Sequence, residues 1–192
     1  MAEPRKWSPV TAAQLDELVL FVCGLANNPA ELGATKLQKV FWYADRMHMA
    51  RHGRPIAGVV YRRLPQGPFS PAIDKAVKRL KRASRLAERE GERFGYQQRQ
   101  FFALDEADVS GIDSSAIQVL AEATLMIKDI SAAAISDLSH TRLWQITEPG
   151  AVLPIERMLA GAAEPLDEID VKALKAGART GNGASRKVKA VA

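Results

Sequence analysis

The stretch from Gly33 to Pro71, GATKLQKVFWYADRMHMARHGRPIAGVVYRRLPQGPFSP, constrains the fold of this chain more than any other. It reads as a helix, a tight stop, a strand, a turn and a new helix start. Thr35 is placed to cap the helix with its hydroxyl, and Gly53, free of a Cβ, suits the left-handed conformation that ends one. Pro55 forbids continuation. At about 100° per residue, Leu37, Val40, Phe41, Ala44, Met47 and His48 share one face. Trp42 and Met49 lie nearly opposite, with Tyr43 to one side. A helix apolar on two sides is buried between neighbours or carries a partner surface, so the helix of about residues 35–52 is expected at the centre of the fold.

From Val59 to Leu64 the residues are β-branched, aromatic or long, as one short strand requires. Pro65, Gly67 and Pro68 interrupt it. Ser70 then reads as a helix N-cap, with Pro71 at the first helical position, where a missing N–H costs nothing.

These blocks carry a resemblance. KLQKVFWYAD, RHGRPIAG and the strand ending in GPFSP resemble the Panacea domain of the SocA-like antitoxins, which carries a KLQKLLYF-type helix and a GPV-type turn at similar spacing. The residues concerned are Lys36, Leu37, Gln38, Lys39, Tyr43, Gly67 and Pro68; His140, after Ser139, and Trp144 resemble the family's later Ser-His and Trp positions. Phe69 stands in place of valine, and Phe41 with Trp42 in place of an aliphatic pair. The likeness covers roughly residues 11–160. It implies a bacterial, non-enzymatic antitoxin; the residues themselves read as a cytoplasmic chain without a cofactor. Its partner would be a toxin protein encoded by a neighbouring gene, with a protease unfoldase as a further partner if the toxin is delivered for degradation.

Composition narrows the alternatives. A hydrophobic fraction of 47% over 192 residues is ample for one core. No apolar run reaches the roughly 18 residues of a bilayer span, and MAEPRKWSP lacks a hydrophobic signal core, so no membrane role is expected. The single Cys23 excludes an intrachain disulfide framework and reads as a small buried filler. A formal net charge of +5 suggests nucleic acid until the charges are located. The surplus sits in the tail after Val171, while residues 36–99 carry 16 basic against 5 acidic groups and residues 100–171 carry 3 against 13. Two opposed segments of one domain can neutralise each other across the fold.

Thr11 with Gln14 forms a capping-box pair before the apolar stripe Leu15, Leu18, Val19, Val22, Leu25 and Ala26. A third helix runs from Pro71 to about Ser84, with Lys75, Lys78, Arg79, Lys81, Arg82 and Arg85 spread over its polar side. Two strands between Leu86 and Leu104 are expected to join Val59–Leu64 in a sheet. Helices are expected from Ser115 to Lys128, after Ser131, around Thr141–Ile146 and over Ile155–Leu159. Beyond Gly177 the chain is too poor in large apolar groups to order itself. The resulting expectation is α+β: a mostly helical single domain over residues 1–176, built around the central helix with a small three-stranded antiparallel sheet, then a basic disordered tail over 177–192. Its core includes Leu18, Val22, Leu37, Phe41, Ala44, Val77, Leu80, Leu120 and Ile127.

Few residues suggest chemistry. Asp45, His48 and His52 share a helix face at a spacing where imidazoles can bind one metal, but helix packing explains them and no metal is expected. Arg46 and His52 fit a loose spacing found in helical ribonucleases, yet they point about 120° apart. His140 and Trp144 read as a packing pair, and no catalytic residue is assigned. Two partner surfaces remain: Trp42, Arg46 and Met49 on the second face of the central helix, and Lys78, Arg82 and Arg85 on helix three. The alternative to toxin binding is a DNA-binding regulator that uses helix three and the following hairpin; a helical ribonuclease is the second alternative.

Overall fold

The computed structural model describes residues 7–93 and 95–155. Helix α1, Ala12–Ala26, opens with the expected capping box: Gln14 N donates to Thr11 Oγ1 at 3.2 Å and Thr11 N donates to Gln14 Oε1 at 3.0 Å. Asn27, at φ 56°, closes it in the left-handed conformation. Helix α2, Pro29–His52, begins earlier than the sequence suggests, because Asn28 accepts from Ala30 N and Pro29 supplies the first helical position. Gly33, at φ 63° and ψ 165°, breaks it within its first turns. Thr35 therefore caps nothing; its hydroxyl donates to Gln66 Oε1 at 3.3 Å. Gly53, at φ 69°, ends α2 as expected.

Both apolar sides of α2 are covered, by α1, α4, α5 and the strand Tyr96–Ala103. Trp42, Arg46 and Met49 are only 1%, 7% and 8% exposed, so the outward face expected for them lies inside the protein. The Trp42 ring meets Tyr61 edge-on at 5.0 Å, which shows what occupies that side. The expected core residues are all buried, as is Cys23, whose thiol is pushed up to about 12 by burial.

The three-stranded antiparallel sheet is present with a different membership. Strand β1, Tyr61–Leu64, lies between β2, Gly67–Phe69, and a late strand, Val152–Leu153. Arg63 pairs with Pro68 across one side and Tyr61 with Leu153 across the other. Pro68 reads as a strand breaker, yet β2 is an edge strand, where its missing N–H removes no ladder bond. Among the described residues the strands β3, Leu86–Arg93, and β4, Tyr96–Ala103, pair only with each other, in register from Leu86 opposite Ala103 to Arg93 opposite Tyr96. The late strand is β5.

Helix α3 spans Pro71–Arg82, and α4 spans Ser114–Ile127 behind an Asp113 cap. Helices α5, Ala132–Ser139, and α6, Arg142–Ile146, are capped by Ser131 and Thr141. The opposed charge segments do meet: Arg51 pairs with Glu122, Arg54 with Asp113 and Arg85 with Asp105. Among the described residues no helix is long and apolar enough to cross a membrane. The expected continuation of the helix to Leu159 and the basic tail lie outside the described residues.

Candidate partner-binding cleft

Three remote stretches of chain meet around the kinked end of α2. Gln38 reads the backbone at the start of α3: its Oε1 accepts from Ser70 N at 2.8 Å and its Nε2 donates to Ser70 O at 3.3 Å. The amide fixes the backbone of Ser70 itself, while the Ser70 hydroxyl makes no cap bond and, among the described residues, is buried without a hydrogen-bond partner. Lys36 ties the kink to the end of α4, donating from Nζ to Glu31 O at 2.6 Å and Lys128 O at 2.7 Å. Burial pulls its amine down to about 8. Leu37 faces the core, and Tyr43, also buried, has its phenol pushed up to about 12.

Lys39 is the unusual member. It is 2% exposed, and its Nζ donates to Pro68 O at 3.0 Å. Burial alone pulls the amine down to about 7, since no carboxylate among the described residues pairs with it. Gly67 roofs this amine at φ 94°; a Cβ there would lie 2.8 Å from Lys39 Nζ and 2.2 Å from Ser139 Oγ. Only glycine fits such an approach. His140, at the end of α5, stacks on Trp144 with ring centroids 3.8 Å apart, and Arg63 lies over the Trp144 ring at 4.2 Å. Trp144 Nε1 donates to Leu64 O at 3.2 Å, which anchors α6 to β1. His140 Nε2 is buried and has no hydrogen-bond partner among the described residues. Burial, with Lys39 nearby, holds its imidazole below the ordinary range.

Lys36, Gln38, Lys39, Gly67, Pro68 and His140 line one cleft of about 960 Å³. At the mouth stands Tyr96, next to the hairpin turn and 75% exposed. An aromatic residue in a strand ordinarily reads as a core or cross-strand contact, but Tyr96 directly follows Gly95 at the tip of the hairpin, a position that leaves its ring exposed. Tyr43 and Trp144 support the walls without lining the cleft.

The remaining candidates are dispersed. On α3, Arg82 is exposed, and Lys78, with its side chain 60% exposed, pairs with Asp74 at 2.8 Å. Arg85 is committed to Glu17 at 2.5 Å and Asp105 at 2.7 Å, so it does not extend outward as expected. Arg79 and Lys81 are likewise tied to Asp16 and Glu88. Asp45 does not face the histidines as a ligand: its carboxylate accepts from Ile56 N at 2.8 Å, Ala57 N at 2.7 Å and Tyr61 Oη at 2.9 Å. His48 is held between Arg54 O and Ser115 Oγ, and its ring lies 4.4 Å from that of His52. The Arg46 guanidinium lies 5.8 Å from the Tyr43 ring. Among the described residues no group of three or more histidine, cysteine, aspartate or glutamate side chains is placed to hold a metal ion.

No curated protein and no solved structure matches the chain. A family model described as antitoxin SocA-like, Panacea domain, matches residues 37–145, more than half of the sequence. That span runs from the central helix through β2 and the hairpin to Gln145, and so contains most of the cleft. The chain belongs to the SocA-like antitoxin family of Panacea-domain proteins.

Proposed function

We propose that this chain neutralises a protein toxin by binding it, without catalysis, and that a segment of the toxin enters the cleft. The observation that supports this most is the convergence of Lys36, Gln38, Lys39, Gly67, Pro68 and His140, far apart in sequence, on one open concavity. Clefts of a few hundred to about 1,000 Å³ suit a ligand of a few side chains, and an exposed tyrosine is a common interface anchor. Asp74 lies on the cleft wall and pairs with Lys78, so the exposed cations of α3, Lys78 and Arg82, continue the surface outward. Trp42, Arg46 and Met49 serve this reading by fixing α2 from within rather than by touching the partner.

The partner is proposed to be the product of a neighbouring gene, met in the cytoplasm. Handing it on to a protease unfoldase would be a second step. DNA regulation draws less support, because Arg79, Lys81 and Arg85 are spent on acidic side chains of the same molecule. Co-expression of the full chain with each adjacent gene tests the proposal: rescue of growth and co-purification are expected with one of them. If no neighbour is toxic or bound, while the purified protein shifts its own promoter DNA in a steeply salt-dependent way, the antitoxin reading fails. Loss of the toxin only when an unfoldase is present would separate delivery from simple sequestration.

A further inference from the structure

Lys39 offers three N–H donors, and Pro68 O is their only acceptor among the described residues. His140 lines the same cleft, with its Nε2 buried and, among the described residues, unpartnered. Its ring is fixed by the stack on Trp144 and by a hydrogen bond to the Pro65 backbone. Two nitrogen groups on rigid supports thus border one concavity; Asp137, on the same lining, lies near enough to His140 to act on its charge, but among the described residues no carboxylate pairs with Lys39. A buried polar group without a partner costs stability, and a buried cation without an anion costs more. Such a pair persists most readily where something else completes it.

We propose that Lys39 and His140 form a carboxylate receptor in the cleft, taking one aspartate or glutamate side chain of the bound toxin segment. This rests on the cleft being the toxin-binding site. The donor count favours a carboxylate over a phosphate group. The neutral imidazole already gives its one N–H to the Pro65 carbonyl, so Nε2 becomes a donor only on protonation; the ammonium and the protonated ring then match two oxygens, and the carbonyls of Pro65 and Pro68 would repel a dianion more strongly than a singly charged carboxylate. Ser139 is not a spare donor, since its Oγ already donates to Ser136 O at 2.6 Å. The amine holds its proton weakly when alone, so an arriving carboxylate would recharge it, and the imidazole beside it would gain a proton in the same event.

The test uses the full chain carrying labelled lysine and histidine side chains, with N-acetyl-aspartate N-methylamide as the probe. Expected are saturable shifts of the Lys39 and His140 resonances with the aspartate compound and none with its asparagine counterpart. Lys39→Met should abolish the His140 response, and His140→Phe, which keeps an aromatic ring to stack on Trp144, should weaken probe binding at least threefold. An equal response to the asparagine compound, an unchanged His140 response in Lys39→Met, or tighter binding of inorganic phosphate would overturn the receptor. Growth rescue separates the two readings. If the wild-type chain rescues no neighbour's toxicity yet binds the probe, the toxin reading fails and the receptor stands. If the wild type and Lys39→Met rescue equally and neither binds the probe, the receptor fails alone.

Discussion

Replacing Lys39 by methionine should stabilise this protein at neutral pH, the reverse of the usual outcome for a buried substitution. The amine sits at about 7 in the folded chain against an ordinary 10.5. Between those values the unfolded chain holds more protons than the folded one, so stability rises with pH across that window, and the cost of the lysine is greatest below it. At about 1.36 kcal/mol per pKa unit, the cost at pH 7 is about 4 kcal/mol and falls by about 2 kcal/mol on going to pH 9. Against this, methionine loses the bond to Pro68 O and leaves that carbonyl unsatisfied, worth about 1–3 kcal/mol. Lys39→Met should therefore gain about 1–3 kcal/mol at pH 7, with the gain largely gone at pH 9. Urea denaturation of the full-length wild type and variant at pH 7, 8 and 9 measures both terms. A variant less stable than wild type at pH 7, or a stability difference that does not shrink with rising pH, would refute the account of Lys39 as a buried cation without an anion.

Phe41→Ala should cost about 3–5 kcal/mol in the same assay, because the ring lies in the centre of the core. Gly67→Ala forces a Cβ into Ser139 Oγ and Lys39 Nζ at a left-handed φ, so a loss of about 2 kcal/mol or more is expected, with altered Lys39 resonances as the local readout. Asp45→Ala leaves Ile56 N, Ala57 N and Tyr61 Oη without their acceptor and should cost about 3 kcal/mol by thermal or urea unfolding. Tyr96→Ala should leave stability within about 0.5 kcal/mol of wild type but weaken co-purification of the toxin, the opposite pattern to the core variants.

The central helix, the cap of α1, the helix of residues 114–127 and the core were legible because periodicity and capping are local chemistry, written within a few residues. Strand pairing was not. Composition marks Val59–Leu64 and alternation marks the stretch from Leu86 to Leu104 as strands, but neither says which edges meet, and β5 is two residues long, below any periodic signal. The second face of α2 was ambiguous for a related reason: apolarity on two sides cannot distinguish a covering strand from a future partner, and Tyr61 turned out to be the cover. The family residues gathered as a group, yet their depth was hidden. A lysine ordinarily reads as surface, and only the closeness of Gly67, which leaves no room for a side chain, shows that Lys39 points into the protein.

The position of β5 bears on how such a chain becomes competent during synthesis. Arg63 N donates to Ala151 O at 2.9 Å and Gly150 N donates to Arg63 O at 2.8 Å, so the sheet that carries Gly67 and Pro68 is locked by residues made nearly ninety positions later. His140 and Trp144 arrive only shortly before them. Helices α1 and α2 can form on the emerging nascent chain, but contacts this distant in sequence close late, after the loop between them has left the ribosome. A ribosome halted before about residue 150 would release a fragment with a helical core and a sheet that lacks its third strand. The last-made stretch of the described chain is thus what completes the sheet, and translation that stops short of it leaves Gly67 and Pro68 on an unfinished frame.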